Sequence, residues 1–270
     1  MFVLQNDKTT KCKNQSFTLL EIVFTITIIG ILLAIFLPAM SSIKLSAQKL
    51  KDASNLQTVA AAWRECLINR GWAIDGKDPG NDGVITCFAE QLAGLGKTNI
   101  SDMILNDPYV YISPGDKYAS KVTAGSLCRF DSANKEVTYT GAFPTVTNFM
   151  VSNDQFLSYC FMLNLPENVP LDTTPLGFTR GLRVDGKWDE KAGLYGSKGG
   201  YVIYCDGHTV WFDGNKPAKF LHWNGQKYTS DIRQTVPSST WISCGNPRTK
   251  ADYTSDSQLV VLRSRGTGSD

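Results

Sequence analysis

Ser16-Phe17-Thr18-Leu19-Leu20-Glu21 opens onto a run, Ile22 to Ile43 (IVFTITIIGILLAIFLPAMSSI), without a single charged residue. Roughly 20 apolar residues in a helix cross the hydrocarbon core of a bilayer, so this stretch is long enough to span a membrane. Glu21 stands just inside it as a lone carboxylate, four residues after Phe17. An ionisable group at that depth is costly and points to a contact with a partner, unless it snorkels to the interface. Gly30 and Pro38 interrupt the run, and each alone is tolerated in a transmembrane helix without any function.

Upstream, Lys8, Lys11 and Lys13 stand against Asp7, so residues 1–16 form a basic leader. A basic flank before the span holds that end in the cytoplasm and sends the remainder across. An ordinary secretory signal is cut at small residues after its apolar run; Pro38-Ala39-Met40-Ser41 matches that poorly. Downstream the composition turns amphipathic. Ile43, Ala47, Leu50, Ala53, Leu56, Ala60, Trp63 and Leu67 recur every three or four residues, the spacing of one apolar stripe. Lys44, Gln48, Lys49, Lys51, Asp52, Gln57 and Arg64 fall between them as the solvent face. Asn69-Arg70-Gly71 supplies a stop. The predicted helix, Phe17 to Arg70, is about 80 Å long, with a kink expected at Pro38.

Phe17, Glu21, Gly30 and Pro38 together carry a resemblance. A cut between Ser16 and Phe17 leaves Phe17 at a new N-terminus with the other three at set distances behind it. That pattern resembles the N-terminus of type IV pilins and of the pseudopilins of type II secretion. The resemblance implies removal of the leader by a prepilin peptidase, N-methylation of Phe17, and a Glu21 that neutralises the new α-amino group during filament growth. It also implies that the stretch from Gly30 to Pro38 can lose helicity in a filament. The family usually has Gly before the cut, where this chain has Ser16.

Beyond Gly71 the chain becomes a region of turns and short strands. Asp75-Gly76-Lys77-Asp78-Pro79-Gly80-Asn81-Asp82-Gly83 is rich in turn formers. Because some pseudopilins hold calcium in such loops, Asp75, Asp78 and Asp82 are candidate ligands. The spacing departs from that of an EF-hand, since Gly80 stands where an oxygen ligand is needed, and a plain surface loop is the favoured reading. No other cofactor is expected. Residues 87–95 read as a short helix. Strands are expected at 109–112, 127–130, 137–139 and 156–163, with a loop from Pro166 to Pro175. The clearest hairpin joins residues 201–205 to 208–212 through Asp206-Gly207, suited to a two-residue type I′ turn. Pairing Cys205 with His208 puts Tyr201, Ile203, Cys205, His208, Val210 and Phe212 on one face. Neither face is strongly polar, so the sheet is expected to be covered on both sides or to meet a neighbour. The stretch Gly199 to His208 also resembles the C-terminal signature of a pilin-like family named for a His followed at a distance by Asp-Gly (H-X9-DG). Asp206, Gly207 and His208 match it, while Gly196 occupies the position of the namesake His.

Of the seven cysteines, Cys12 lies in the leader; Cys66, Cys87, Cys128, Cys160, Cys205 and Cys244 lie beyond the span. An even number in an exported domain favours disulfides, whose pairing sequence does not choose; buried thiols are the alternative. No C-x-x-C or Cys/His cluster suggests zinc. The chain has two histidines. Ser197, His208 and Asp206 form a triad only if the fold unites them; a strand histidine bonded near the turn is the simpler reading, and no enzymatic activity is expected. Trp188, Trp211, Trp223, Trp241 and Tyr228 are core residues or an exposed ligand platform. Removing the leader takes the 27 basic and 25 acidic residues to 24 of each, and a neutral chain offers nothing to nucleic acid.

The expected fold is α+β: a long N-terminal helix whose C-terminal half packs on an antiparallel sheet. Its expected divisions are a leader (1–16), a membrane and assembly segment (17–43), an amphipathic segment (44–70) and an exported head (71–270). The resemblance implies a single-pass inner-membrane subunit with a periplasmic head. It polymerises with itself or with other pilin-like subunits, meets an inner-membrane assembly platform, and reaches the cell surface or a filament on assembly. The alternative is a membrane-anchored or filament-tip module whose head binds a ligand or adheres.

Overall fold

Helix α1 (Leu19–Arg64) is unbroken through Gly30 and Pro38 and ends in a π-helical turn, Glu65–Asn69. Gly71 follows with φ +63°, a conformation open to a residue without Cβ. The computed structural model describes residues 18–69, 71, 88–89, 91–116, 124–140, 158–243 and 264–265. The chain divides into two units, Met1–Ala47 and Gln48–Asp270. Within the second unit, the head, α1 contributes Gln48–Arg64.

The head is built on a six-stranded antiparallel sheet ordered β10-β9-β3-β4-β5-β6. Its strands are β3 (Tyr159–Leu163), β4 (Pro175–Thr179), β5 (Gly199–Tyr204), β6 (Thr209–Asp213), β9 (Trp241–Ser243) and β10 (Ser264–Arg265). Two small hairpins accompany it: β1 (Cys128–Asp131) with β2 (Glu136–Tyr139), and β7 (Phe220–Leu221) with β8 (Tyr228–Thr229). The fold is therefore α+β, a long N-terminal helix with antiparallel sheet.

Both faces of the sheet are covered. Successive side chains point to opposite faces, and along β3 they join different cores. Tyr159, Phe161 and Leu163 pack with Leu56, Val59, Ala60, Trp63 and Cys66 of α1; Cys160 and Met162 pack with Phe178, Trp188, Val202 and Phe220. This is why β3 and β4 are buried at every position. Each fully buried large apolar side chain contributes about 1.5–3 kcal/mol. Phe161 anchors the helix side, stacked on Phe88 at 4.6 Å and meeting Tyr111 edge-on.

Four expectations are corrected. Residues 109–112 are not a strand: Pro108–Tyr111 is a 3-10 turn, because the Asp107 carboxylate accepts from the Tyr109 amide and Pro108 takes the first helical position. The buried side of α1 is rotated from the expected stripe. Asp52 and Asn55 are buried beside Leu56, Val59 and Trp63, whereas Leu50 is 73% exposed. Lys49, expected on the solvent face, is half-buried, with its Nζ 3.4 Å from the centroid of the Trp211 ring. Burial pulls its ammonium below the usual lysine range, opposed by nearby Asp213 and reinforced by Lys198.

The fourth is the register of the β5–β6 hairpin. Ile203 pairs with Thr209 and Tyr201 with Trp211, one residue away from the pairing of Cys205 with His208. The connection is three residues long. The Gly207 amide donates to the Tyr204 carbonyl at 2.9 Å and the Tyr204 amide to the His208 carbonyl at 3.0 Å. Only Gly207 takes a positive φ, +92°, where a type I′ turn needs two such residues. Cys205 and Asp206 are held out of the ladder, their amides donating to the carbonyls of Thr174 and Leu171. A one-residue slip exchanges faces, so Tyr201 meets Trp211 at 5.0 Å and Tyr204 stacks on His208 at 4.3 Å.

Candidate functional site

The N-terminal unit presents its site at the first turn of α1. The Thr18 amide and hydroxyl both donate to Glu21 Oε2, each at 3.0 Å, and the Glu21 amide donates back to Thr18 Oγ1 at 3.3 Å. This is a capping box, the Ser/Thr-x-x-Glu pattern that satisfies donors a helix start leaves open. It is written in the sequence as Thr18-Leu19-Leu20-Glu21. Ser16 and Phe17 lie outside the described residues.

Leu19–Leu37 is long and apolar enough to cross a membrane, and none of it is buried. Its interior polar groups are satisfied locally: the hydroxyls of Thr25 and Thr27 donate to the carbonyls of Ile22 and Phe24 at 2.8 and 2.7 Å. That suits a helix in lipid, where no water is at hand for an unpaired group. A Cβ added at Gly30 would meet nothing within 4 Å among the described residues. The backbone at Pro38 is helical.

In the head, Asp206, Gly207 and His208 form the tip of the β5–β6 hairpin. His208 Nδ1 lies 2.6 Å from Asp206 Oδ1, which also accepts the His208 amide at 3.0 Å. Partial burial pushes the Asp206 carboxyl up, but these bonds and the imidazole outweigh it and leave it below the usual carboxylate range. Arg64 of α1 donates to the Asp206 carbonyl at 2.9 Å. Ser197 sits at the other end of β5, in the turn Gly196–Lys198, a strand length of roughly 20 Å away. Ser197, His208 and Asp206 are therefore not brought together.

Cys66, Cys128, Cys160 and Cys205 are buried. Burial, with the neighbouring Asp206 charge, pushes the Cys205 thiol up to about 12. Cys87 and Cys244 lie outside the described residues, as do Asp75, Asp78 and Asp82 of the candidate calcium loop. Among the described residues no group of three or more His, Cys, Asp or Glu is placed to hold a metal. The aromatic residues divide: Trp188 is core, Trp211 and Trp223 are half-buried, and Tyr228 is 72% exposed.

A buried polar cluster was not expected from the sequence. Asp52 accepts hydrogen bonds from the hydroxyls of Tyr195, Tyr159 and Ser113, the last two at 2.8 Å. Gln48 Nε2 donates to Ser113 Oγ at 3.1 Å and Asn55 Nδ2 to the Tyr159 hydroxyl at 3.3 Å. Beyond Ser113 the bonds continue through Ser158 to Asp116, which pairs with Arg180 at 2.7 Å, both side chains 1% exposed. The available signal was the spacing of Gln48, Asp52 and Asn55, polar residues four and three apart on one helix face.

The family described as the prokaryotic N-terminal methylation motif matches residues 11–37. No curated protein and no solved structure matches the chain. The matched segment supports a prepilin-like leader, followed by the apolar half of α1. It points to a pilin- or pseudopilin-like precursor, a structural kind of protein, and to anchoring in the inner membrane.

Proposed function

We propose that this chain is a structural subunit of a filament of the type IV pilus or type II secretion kind, cleaved between Ser16 and Phe17 and N-methylated on Phe17. The observation that carries this reading is the methylation motif of residues 11–37 laid over an apolar helical segment, Leu19–Leu37, none of which is buried. Such a surface needs lipid before assembly and copies of itself, or of related subunits, afterwards. The prepilin peptidase and an inner-membrane assembly platform are the partners this implies, with the head on the periplasmic side until the filament forms. Glu21 supplies the assembly contact. Its carboxylate and the mature α-amino group both lose water in an apolar filament core, and a charge-assisted bond between subunits offsets both losses.

Mass spectrometry of the mature N-terminus, with filament yield from Glu21→Ala, tests the reading. The expected results are a methylated Phe17 and processed Glu21→Ala protein that forms few sheared filaments. An intact leader would overturn it. Normal filament yield from Glu21→Ala would remove Glu21 as the assembly contact and favour an anchored or filament-tip binding module.

A further inference from the structure

The apolar face of α1 is poorly suited to setting its own position. Leu56, Val59, Ala60 and Trp63 recur at helical spacing, and burial of apolar surface is non-directional. A slide of one turn would bring Val59, Ala62 and Cys66 to the places of Leu56, Val59 and Trp63, apolar for apolar, and Trp63 to that of Ala60, the one exchange the packing resists. The polar turn just before them has no such tolerance. Asp52 is fully buried, and its three hydroxyl donors come from three separate segments: Ser113 after the 3-10 turn, Tyr159 in β3 and Tyr195 before β5. Two of those hydroxyls are themselves aimed. Gln48 and Asn55 donate to Ser113 and Tyr159, so the protons of both hydroxyls must point at Asp52. Among the described residues, no cation is bonded to Asp52; the Lys49 ammonium rests on the Trp211 ring.

We infer that Gln48, Asp52 and Asn55 form a register lock, a three-point polar contact that fixes where residues 48–64 of α1 sit on the head sheet. In a helix displaced by one turn, Asp52 would lose its three donors inside a low-dielectric core, and the hydroxyls of Tyr159, Tyr195 and Ser113 would be left without an acceptor. Unpaired buried groups of this kind are what make polar networks specify one arrangement. The lock stands apart from the filament reading, since it concerns the head and its own helix in a single chain.

The test uses the full chain in detergent, with bio-orthogonal spin labels at the exposed positions Gln57 and Lys187 and distances read by pulsed electron resonance. The wild-type chain is expected to give one narrow distance. Asp52→Leu is expected to add a second population displaced by roughly 5 Å, one helical turn. Tyr159→Phe with Tyr195→Phe, which removes two donors and keeps their shape, is expected to broaden the distribution too and covers the case in which Asp52→Leu fails to fold. Leu56→Ala, which weakens packing and leaves the polar contact intact, is expected to stay narrow. A single wild-type distance in the Asp52 or the double tyrosine variant overturns the lock. So does Leu56→Ala broadening to the same extent, since packing in general would then set the register.

Discussion

Thr18 and Glu21 close on each other in both directions, the threonine amide and hydroxyl donating to one carboxylate oxygen and the Glu21 amide returning to the threonine hydroxyl. The carboxylate is thus engaged by the first turn of its own helix. One oxygen, Oε2, takes both Thr18 donors, which orients the group at the start of an apolar helix. A residue chosen only for charge would have no need of this hydroxyl partner.

Removing the hydroxyl should therefore loosen the first turn. Thr18→Ala is expected to raise amide exchange over Leu19–Val23 in micelles roughly five-fold, the factor for loss of a typical helix cap, while Thr18→Ser stays near wild type. Exchange unchanged in Thr18→Ala would show that the capping box is idle in lipid.

Asp52 links the stability of the head to pH. Burial raises its carboxyl above the usual range, against the hydrogen bonds from Tyr195, Tyr159 and Ser113 and with Asp116 adding to the rise. A raised folded value means that its contribution is full below the unfolded carboxyl value, about 3.9, and is lost as pH rises through the folded one. Melting temperature should accordingly fall over that window in the wild-type head, and the part of the slope due to this carboxyl should vanish in Asp52→Asn. Identical pH profiles for the two proteins would contradict the assignment.

Gly177 lies where β4 runs between β3 and β5. A Cβ there would stand 2.6 Å from the Cys160 carbonyl oxygen and 2.7 Å from the Phe161 ring. The ring is held by its stack on Phe88, and the carbonyl belongs to the backbone of β3. Gly177→Ala is expected to cost about 1–3 kcal/mol in denaturant unfolding, the usual range for overpacking. Gly125→Ala, with nothing within 4 Å of its Cβ, should change stability by less than about 0.5 kcal/mol.

The sequence by itself determined the apolar half of α1, the basic leader, the place of Glu21 and the existence of the β5–β6 hairpin. Each is written in a continuous stretch, as charge, hydropathy or a turn dipeptide, and needs no distant residue to be read. Only the tertiary structure decided the remainder. Pro175 reads as the end of a loop, yet Pro175–Thr179 becomes a central strand because β3 and β5 bond it on both sides and two cores cover its faces. The hairpin register moved by one residue because the amides of Cys205 and Asp206 are taken by Thr174 and Leu171, from the loop before β4. Asp52 looked like a surface residue of an amphipathic helix. It is buried because hydroxyls 61 to 143 residues away in the chain converge on it, and hydrogen bonds of that separation leave no periodic trace in the sequence that makes them.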